Sequence, residues 1–192
     1  MKNIYLLVGP SGSGKTTIAT ALEKAMGMKQ VASYTERLPR YPGEEGHTFV
    51  TPEEFDKLED LCAYTEFNGY RYGTTAAMVD ECDIYVIDPA GVKYMKEHYH
   101  GDKDIKVVGI FATPKKCAER MLQRGDVEEK VQERIQHDRL AFAPTKGVVD
   151  HILYAYQGLC EICDTIVINQ GNNIEYPVNI LCGYICREEA KK

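Results

Sequence analysis

The stretch GPSGSGKTT, from Gly9 to Thr17, decides the fold of this chain. It follows the apolar run IYLLV (4–8), which predicts a short buried strand. It precedes TTIATALEKAM (16–26), whose apolar residues recur at helical spacing. Residues 9–16 match the pattern GxxxxGK[ST] with nothing missing. A strand, a glycine-rich turn and an amphipathic helix in this order predict a phosphate-binding loop, or P-loop.

Each part of this loop has a physical role. Glycines allow backbone angles that turn N–H groups inward onto an anion, and the positive end of the following helix points to the same place. A lysine at this position supplies a cation for the β- and γ-phosphates, and a threonine hydroxyl is offered to Mg²⁺. A chance lysine in a glycine-rich turn would not explain the flanking strand and helix, so we expect the ligand to be ATP. The predicted nucleotide-binding residues are Gly9, Ser11, Gly12, Ser13, Gly14, Lys15, Thr16 and Thr17, with Thr16 also the predicted magnesium ligand.

The remaining pattern is that of an alternating α/β domain. Further buried strands are predicted at 83–88, 105–112 and 164–169. Helices are expected to begin after the capping residues Thr51, Thr113 and Asp126. Strands that alternate with helices predict a parallel sheet covered on both faces. The tail REEAKK (187–192) is expected to be a frayed helix end.

Composition excludes several classes of function. The 192 residues are 44% hydrophobic and 27% charged, which is ordinary for one globular domain. The net charge of −6 argues against a general nucleic-acid binder, which needs a basic face. No apolar run approaches the ~20 residues of a membrane span, and the apolar run at 4–8 is too short for a signal peptide. We therefore expect a cytoplasmic protein with small-molecule substrates, and the sequence does not indicate an oligomeric state.

The seven cysteines are most simply reduced thiols, as is usual in the cytoplasm. The spacings of Cys160 with Cys163 and of Cys182 with Cys186 leave a zinc site open as an alternative.

Several motifs after the P-loop, in the right order, resemble guanylate kinase. They are SYTERLPR (33–40), EFNGYRYGTT (66–75), IDPAGVK (87–93), and RMLQRG (120–125) followed by VQERI (131–135). The resemblance covers roughly residues 4–135 and 164–169. It implies a P-loop NTPase fold, a three-layer sandwich around a central parallel sheet, with small acceptor-binding and lid subdomains. The implied single domain, 1–192, divides into a core (1–32, 82–118 and 140–192), an acceptor-binding subdomain (about 33–81) and a lid (about 119–139).

The candidate acceptor site combines residue chemistry with this resemblance. Arg37 and Arg40 lie three apart in a polar loop and suit bidentate contacts to a monophosphate, although two solvated arginines are the alternative. The Tyr72 hydroxyl can add a contact to that phosphate. The resemblance places His47 where the family has a phosphate-binding tyrosine. It also places three residues near the base: Ser33, Thr74 and Asp88.

Three arginines are candidates for the transferring phosphoryl group. Arg120, Arg124 and Arg134 are spaced so that a hinged pair of helices can lower them onto its negative charge. Surface pairing with neighbouring glutamates is the alternative. The resemblance implies that Arg124 and Arg134 are catalytic together with Lys15, that Arg120 is a further nucleotide contact, and that Asn169 lies near the adenine.

Departures from the family bear on the acceptor. Ala63 stands where the family has a glutamate that pairs with guanine, and Val86 stands where it has a carboxylate. An extra segment lies between Arg134 and Asp164. The residues that grip phosphate are retained, whereas those that read the base are partly lost.

The expected function is transfer of the γ-phosphate of Mg-ATP to GMP, which gives ADP and GDP. A kinase of another phosphorylated acceptor, such as a different nucleoside monophosphate or ribose 1,5-bisphosphate, is the alternative. A non-catalytic binding module of the same fold is disfavoured because the P-loop is intact.

Overall fold

The computed structural model describes residues 1–39, 42–44, 46–67, 69–145 and 154–191. In these ranges the strands are β1 (Asn3–Val8), β2 (Ser33–Thr35), β3 (His47–Phe49), β4 (Leu61–Phe67), β5 (Tyr70–Thr75), β6 (Ile84–Val86), β7 (Asp104–Phe111) and β8 (Thr165–Ile168). The helices are α1 (Lys15–Met26), α2 (Pro52–Phe55), α3 (Ala76–Asp80), α4 (Pro89–His98), α5 (Pro114–Gln123), α6 (Glu128–Ala141), α7 (Tyr154–Ile162) and α8 (Glu175–Ala190).

The strand that precedes the P-loop lies inside the central sheet. This sheet is parallel and has the order β6-β1-β7-β8. Every residue of β1 is buried, as expected for a parallel strand packed on both faces. The strands predicted at 83–88, 105–112 and 164–169 correspond to β6, β7 and β8, so the predicted parallel α/β sheet is confirmed.

Helices cover both faces of the sheet. On one face, Leu7 packs in a cluster with Ile18 of α1 and Leu181 of α8. On the other face, Leu6 packs in a cluster with Leu159 of α7 and with side chains of α4. Successive side chains of a strand point to opposite faces, so neighbouring residues of β1 serve separate cores. The three-layer sandwich is therefore confirmed.

A second sheet is inserted between α1 and β6. Its order is β3-β2-β5-β4, with β2 parallel to β3 and antiparallel to β5. Thr51 begins α2 as predicted: its hydroxyl accepts the Glu54 N–H, and the Glu54 carboxylate accepts the Thr51 N–H at 2.8 Å. The cap predicted at Thr113 is also present at the start of α5. Both local signals were sufficient to place a helix start.

The turn between α5 and α6 corrects one prediction. Gly125 adopts a φ of 95° there, and α6 begins after Val127, which has no side-chain cap. Asp126 was expected to cap this helix, and that expectation is wrong. Its carboxylate instead accepts from Arg124 Nη2 at 2.5 Å and lies 3.7 Å from Arg134 Nη1. The carboxylate thus pairs with two guanidinium groups instead of accepting hydrogen bonds from the first amides of α6.

The end of the chain also differs from the expectation of fraying. Helix α8 is regular to Ala190. The carboxylate of Glu189 accepts from Asn3 Nδ2 at 2.6 Å and from the Tyr5 hydroxyl at 2.9 Å, which ties the helix to β1.

The described residues show neither a helix suited to a membrane nor a cluster of metal-ligating side chains. No helix there is both long and apolar enough to cross a membrane. All seven cysteines are free thiols, and within the described ranges no group of three His, Cys, Asp or Glu side chains could hold a metal ion.

Candidate nucleotide and acceptor site

The P-loop has the shape that its glycines allow. Gly12 and Gly14 have φ angles of 76° and 98°, a region that other residues rarely adopt. A Cβ on Gly12 would lie 2.5 Å from the main-chain oxygen of Cys117, so the loop also packs directly against α5. Ser13 is fully buried, and its hydroxyl has no hydrogen-bond partner within the described residues. The loop therefore presents backbone amides at the start of α1 and keeps an unused buried hydroxyl.

The ammonium of Lys15 lies folded over this loop. Its Nζ donates to the carbonyl of Gly9 at 2.6 Å and to that of Pro10 at 3.0 Å. Burial lowers the pKa of Lys15, and the nearby Asp138 carboxylate opposes that effect. The cation is thus held beside the loop amides, within reach of a phosphate that binds there.

A first pocket joins the P-loop to the helices after β7. Its volume is about 410 Å³. It is lined by Ser11, Gly12, Gly14, Lys15, Thr16, Thr17, Arg120, Arg124 and Arg134. The structure thus brings the three predicted arginines to the predicted phosphate loop, although Arg134 is far from the loop in sequence. We call this space the nucleotide pocket.

Arg120 holds the P-loop from the side. Its guanidinium donates to the carbonyls of Ser13 at 3.3 Å and Gly171 at 2.7 Å, and to Asn169 Oδ1 at 3.4 Å. Asn169 is 4% exposed and its Nδ2 donates to the same Ser13 carbonyl at 2.8 Å. Both residues were predicted to meet the nucleotide, and in this structure they brace the loop that would hold it.

Arg124 and Arg134 share a counter-ion. Arg124 donates to the Asp126 carboxylate from Nε at 2.8 Å as well as from Nη2, and Arg134 lies at the edge of the same carboxylate. Asp126 does not line the nucleotide pocket. It therefore holds the two guanidinium groups together from outside the pocket.

A second pocket, of about 250 Å³, lies on the other side of the P-loop, and we call it the acceptor pocket. Its lining includes the predicted residues Ser33, His47, Tyr72 and Asp88. Ser11 and Lys15 of the P-loop also line it. The polar lining residues that the sequence did not indicate are Thr65, Tyr85, His137 and Asp138.

Arg37 lies beside Tyr72 at one end of the second sheet. Its Nε donates to the Tyr72 hydroxyl at 3.1 Å, and its two Nη atoms donate to the Glu44 carboxylate at 2.9 and 3.1 Å. The hydrogen bonds that it donates to Glu44 raise the pKa of Arg37. Arg37 is 9% exposed and its guanidinium is held in place by these contacts, but it does not line the acceptor pocket. Arg40, its predicted companion, lies outside the described residues.

Ser33 and His47 meet across the β2–β3 pair. Ser33 Oγ and His47 Nδ1 are hydrogen-bonded at 3.0 Å, and Tyr85 of β6 lines the same pocket. The His47 ring lies 5.5 Å from the Tyr72 ring, between centroids. His47, expected at the acceptor phosphate, therefore stands between Tyr72 and the predicted base-reading serine.

Asp88 is oriented by two donors of the chain. Its Oδ1 accepts the Gly91 N–H at 2.6 Å at the start of α4, and its Oδ2 accepts the Thr65 hydroxyl at 2.9 Å. The structure does not bring Thr74 to this pocket: Thr74 is fully buried, and its hydroxyl contacts Met78 Sδ at 3.2 Å. The carboxylate is thus fixed at the pocket wall by a strand neighbour that the sequence analysis did not identify.

The two departures in sequence have different structural outcomes. Ala63 is 1% exposed, packs in the hydrophobic core and does not line the acceptor pocket, so it offers nothing polar to a ligand. Val86 lines the pocket, where it presents an apolar surface instead of a carboxylate. The acceptor pocket therefore lacks acidic groups at these two family positions, and its carboxylates are Asp88 and Asp138.

Comparisons with known proteins agree with this architecture. A family model described as an AAA domain matches residues 6–141. A guanylate kinase of Fusobacterium nucleatum is 36% identical over 83 residues, which cover 41% of this chain and 45% of that protein. A guanylate kinase of Mannheimia succiniciproducens is 33% identical over 153 residues, which cover 69% of this chain and 71% of the relative. The crystal structure of a guanylate kinase from Anaplasma phagocytophilum has the same fold, with a TM-score of 0.58, 21% identity, and coverage of 97% of this chain and 85% of that one.

Proposed function

Because this chain belongs to the guanylate kinase family, we propose that it transfers the γ-phosphate of ATP to GMP and releases ADP and GDP. The observation that carries this proposal is the meeting of the two pockets. Ser11 and Lys15 line both the nucleotide pocket and the acceptor pocket. A γ-phosphate on the P-loop and an acceptor phosphate beside Tyr72 would therefore face each other across the Lys15 ammonium.

The chemistry requires placement and charge more than proton transfer. A phosphate monoester is already largely ionised near neutral pH, so its oxygen can attack the γ-phosphate in line without a general base. Lys15, Arg124 and Arg134 are assigned to the negative charge of the transferring group. Arg37 and Tyr72 are assigned to the acceptor phosphate.

Thr16 fits the role of a magnesium ligand. It is the first threonine of α1, its side chain is exposed, and it lines the nucleotide pocket. When bound, Mg²⁺ would neutralise charge on the β- and γ-phosphates.

The same proposal assigns regions of the chain. The second sheet and its helices, about 33–81, bind the acceptor, and residues 119–139 form the lid that brings the arginines to the nucleotide. Closure of such a lid excludes water, which would otherwise compete with the acceptor for the γ-phosphate. A cytoplasmic location completes the proposal.

A panel of acceptors tests this function. ADP release is measured with Mg-ATP and GMP, dGMP, IMP, AMP, CMP, UMP or ribose 1,5-bisphosphate. Stimulation by GMP is expected, with IMP as the nearest competitor. Stimulation by ribose 1,5-bisphosphate and by none of the nucleotides would reject the guanylate assignment and retain the kinase.

A matched variant separates catalysis from simple binding. Lys15→Met is expected to abolish turnover without unfolding the chain, and its thermal midpoint should fall by a few degrees because buried Asp138 loses a favourable charge. Equal ADP release by wild type and Lys15→Met would reject the assignment of this site.

A further inference from the structure

A buried carboxylate on α6 touches the P-loop, and the proposed reaction does not use it. Asp138 is 6% exposed. Its Oδ2 accepts the main-chain N–H of Ser11 at 2.7 Å, and its Oδ1 lies 3.5 Å from the Ser11 hydroxyl. This contact joins residues 127 positions apart in the chain. It is a direct link between the proposed lid and the phosphate-binding loop.

Asp138 is buried where an ionised carboxylate is energetically unfavourable, so packing alone does not explain its presence. Burial penalises an ionised carboxylate and raises the pKa of Asp138. The groups that face it are Lys15 from α1, Cys117 from α5, Tyr154 from α7 and His137 from its own helix. The Lys15 ammonium is the favourable charge, and the Ser11 amide supplies a charge-assisted hydrogen bond. An apolar side chain would pack here without that desolvation cost.

The position of Asp138 on its helix indicates what the contact achieves. Arg134 precedes it by four residues, so both side chains lie on one face of α6. Arg134 lines the nucleotide pocket, whereas Asp138 lines the acceptor pocket. Ala141 and Phe142, which follow, also line the acceptor pocket. One helix face therefore serves both substrates, and its contact with the loop lies where the two pockets meet.

We infer that Asp138 is a positioning residue that latches α6 onto the Ser11 amide, and so places Arg134 over the nucleotide and closes the acceptor pocket. The inference rests on the proposed function for its catalytic consequence, and on the hydrogen bond itself for its structural one. Asp138 touches neither reacting phosphate in this scheme and acts through Arg134.

The first test compares Asp138→Asn with Glu133→Gln, which removes an exposed carboxylate from the same helix. Asp138→Asn removes the charge from the hydrogen bond to Ser11 and should lower kcat for GMP phosphorylation by up to about 10-fold, whereas Asp138→Ala removes the acceptor and should lower it roughly 10- to 100-fold. The dissociation constant for ATP is expected to stay within about threefold, because Asp138 does not line the nucleotide pocket. The thermal midpoint should not fall, because a costly buried charge is removed. Glu133→Gln should match the wild type in all three, and full kcat in Asp138→Ala would overturn the inference.

A double mutant tests action through Arg134. In an Arg134→Ala background, Asp138→Asn should change kcat by less than about threefold, since the group that it positions is gone. A full additional loss would show that Asp138 acts independently and would overturn the latch. Asp138→Ala serves as the second variant, because an Asn side-chain oxygen can still accept the amide.

Amide exchange distinguishes failure of the latch from failure of the proposed function. Hydrogen exchange at the Ser11 amide of the ADP-bound enzyme should be at least about tenfold faster in Asp138→Ala than in the wild type or Glu133→Gln. Unchanged exchange would overturn the latch, whatever the enzyme phosphorylates. Normal latch behaviour with no acceptor active would reject the function alone.

Discussion

Arg120→Ala separates a residue that braces the P-loop from one that grips phosphate. The guanidinium makes one short hydrogen bond, to the Gly171 carbonyl at 2.7 Å, and longer ones to Ser13 and Asn169. A hydrogen bond from a charged donor contributes about 1.5–3 kcal/mol, and the long bonds contribute much less. We therefore expect a loss of about 2 kcal/mol. For a chain of this size that lowers the thermal midpoint by roughly 4–8 °C.

The assay is thermal unfolding of the nucleotide-free protein, together with the dissociation constant for ATP. Arg124→Ala is the matched control, because its side chain is 49% exposed and pairs with Asp126 at the surface. Exposed pairs contribute about 0–1 kcal/mol, so its midpoint shift should be no more than about half as large. Its kcat should nevertheless fall strongly, because Arg124 is assigned to the transferring phosphate.

Arg120 does not brace the loop if Arg120→Ala unfolds at the wild-type temperature without nucleotide and yet binds ATP more weakly. That result would mean that the guanidinium leaves the loop carbonyls to bind phosphate directly, as the sequence resemblance implies. A lower midpoint with weaker ATP binding is the result expected of a brace.

Three further predictions concern packing, the acceptor grip and pH. Gly158→Ala should destabilise by about 1–3 kcal/mol, because its Cβ would clash with the main-chain oxygen of Phe142. Gly183→Ala in α8 meets nothing within 4 Å and should stabilise by about 0.5–1 kcal/mol, and chemical denaturation measures both. Arg37→Met should raise the KM for GMP and lower the free energy of unfolding by about 3 kcal/mol, because it withdraws two donors from Glu44, whose side chain is 6% exposed. Adding Glu44→Gln should restore the stability but not the KM. If the double variant regains no stability, the pairing is contradicted. Hydrogen bonds from the Arg71 guanidinium lower the pKa of Glu36 below its usual value. The stability that wild type has over Glu36→Gln should therefore be present at neutral pH and be lost as the pH falls through that lowered pKa. A difference that stays constant from neutral to acidic pH would contradict the assignment.

Local signals in the sequence were sufficient for the P-loop and for much of the helical layout. Glycine angles, a strand before and a helix after act within about one turn of chain, so GPSGSGKTT predicts its own conformation. The caps at Thr51 and Thr113 are equally local, since each hydroxyl accepts an amide three residues on. The resemblance added the order of the remaining elements, which the fold confirms.

Contacts between distant segments escaped prediction. Asp126 has the sequence position of a helix cap, yet it pairs with two guanidinium groups, one of them eight residues away. Asp138 meets the P-loop across most of the chain, and its only sequence signal is its spacing of four from Arg134. Thr65 reaches Asp88 because β4 lies beside the start of α4, which no local pattern states. The contacts of these residues depend on tertiary packing, which short windows of sequence do not determine.

The acceptor pocket shows what these missed contacts mean for specificity. Side chains two apart on a strand share a face, so Thr65 points the same way as Ala63 and is the polar group that remains on that face of β4. Thr65 and Gly91 each donate a hydrogen bond to Asp88, so some acceptor sites of that carboxylate are occupied before a base binds. Asp88 retains lone pairs for the amino edge of guanine, but it lacks the second acid that the family pattern provides. Losing one charged partner is worth about 1.5–3 kcal/mol, so the preference for GMP over IMP should be roughly 10- to 100-fold weaker than two carboxylates would allow. Full discrimination against IMP in the acceptor panel would mean that Ser33, His47 and Tyr85 read more of the base than their contacts in this structure imply.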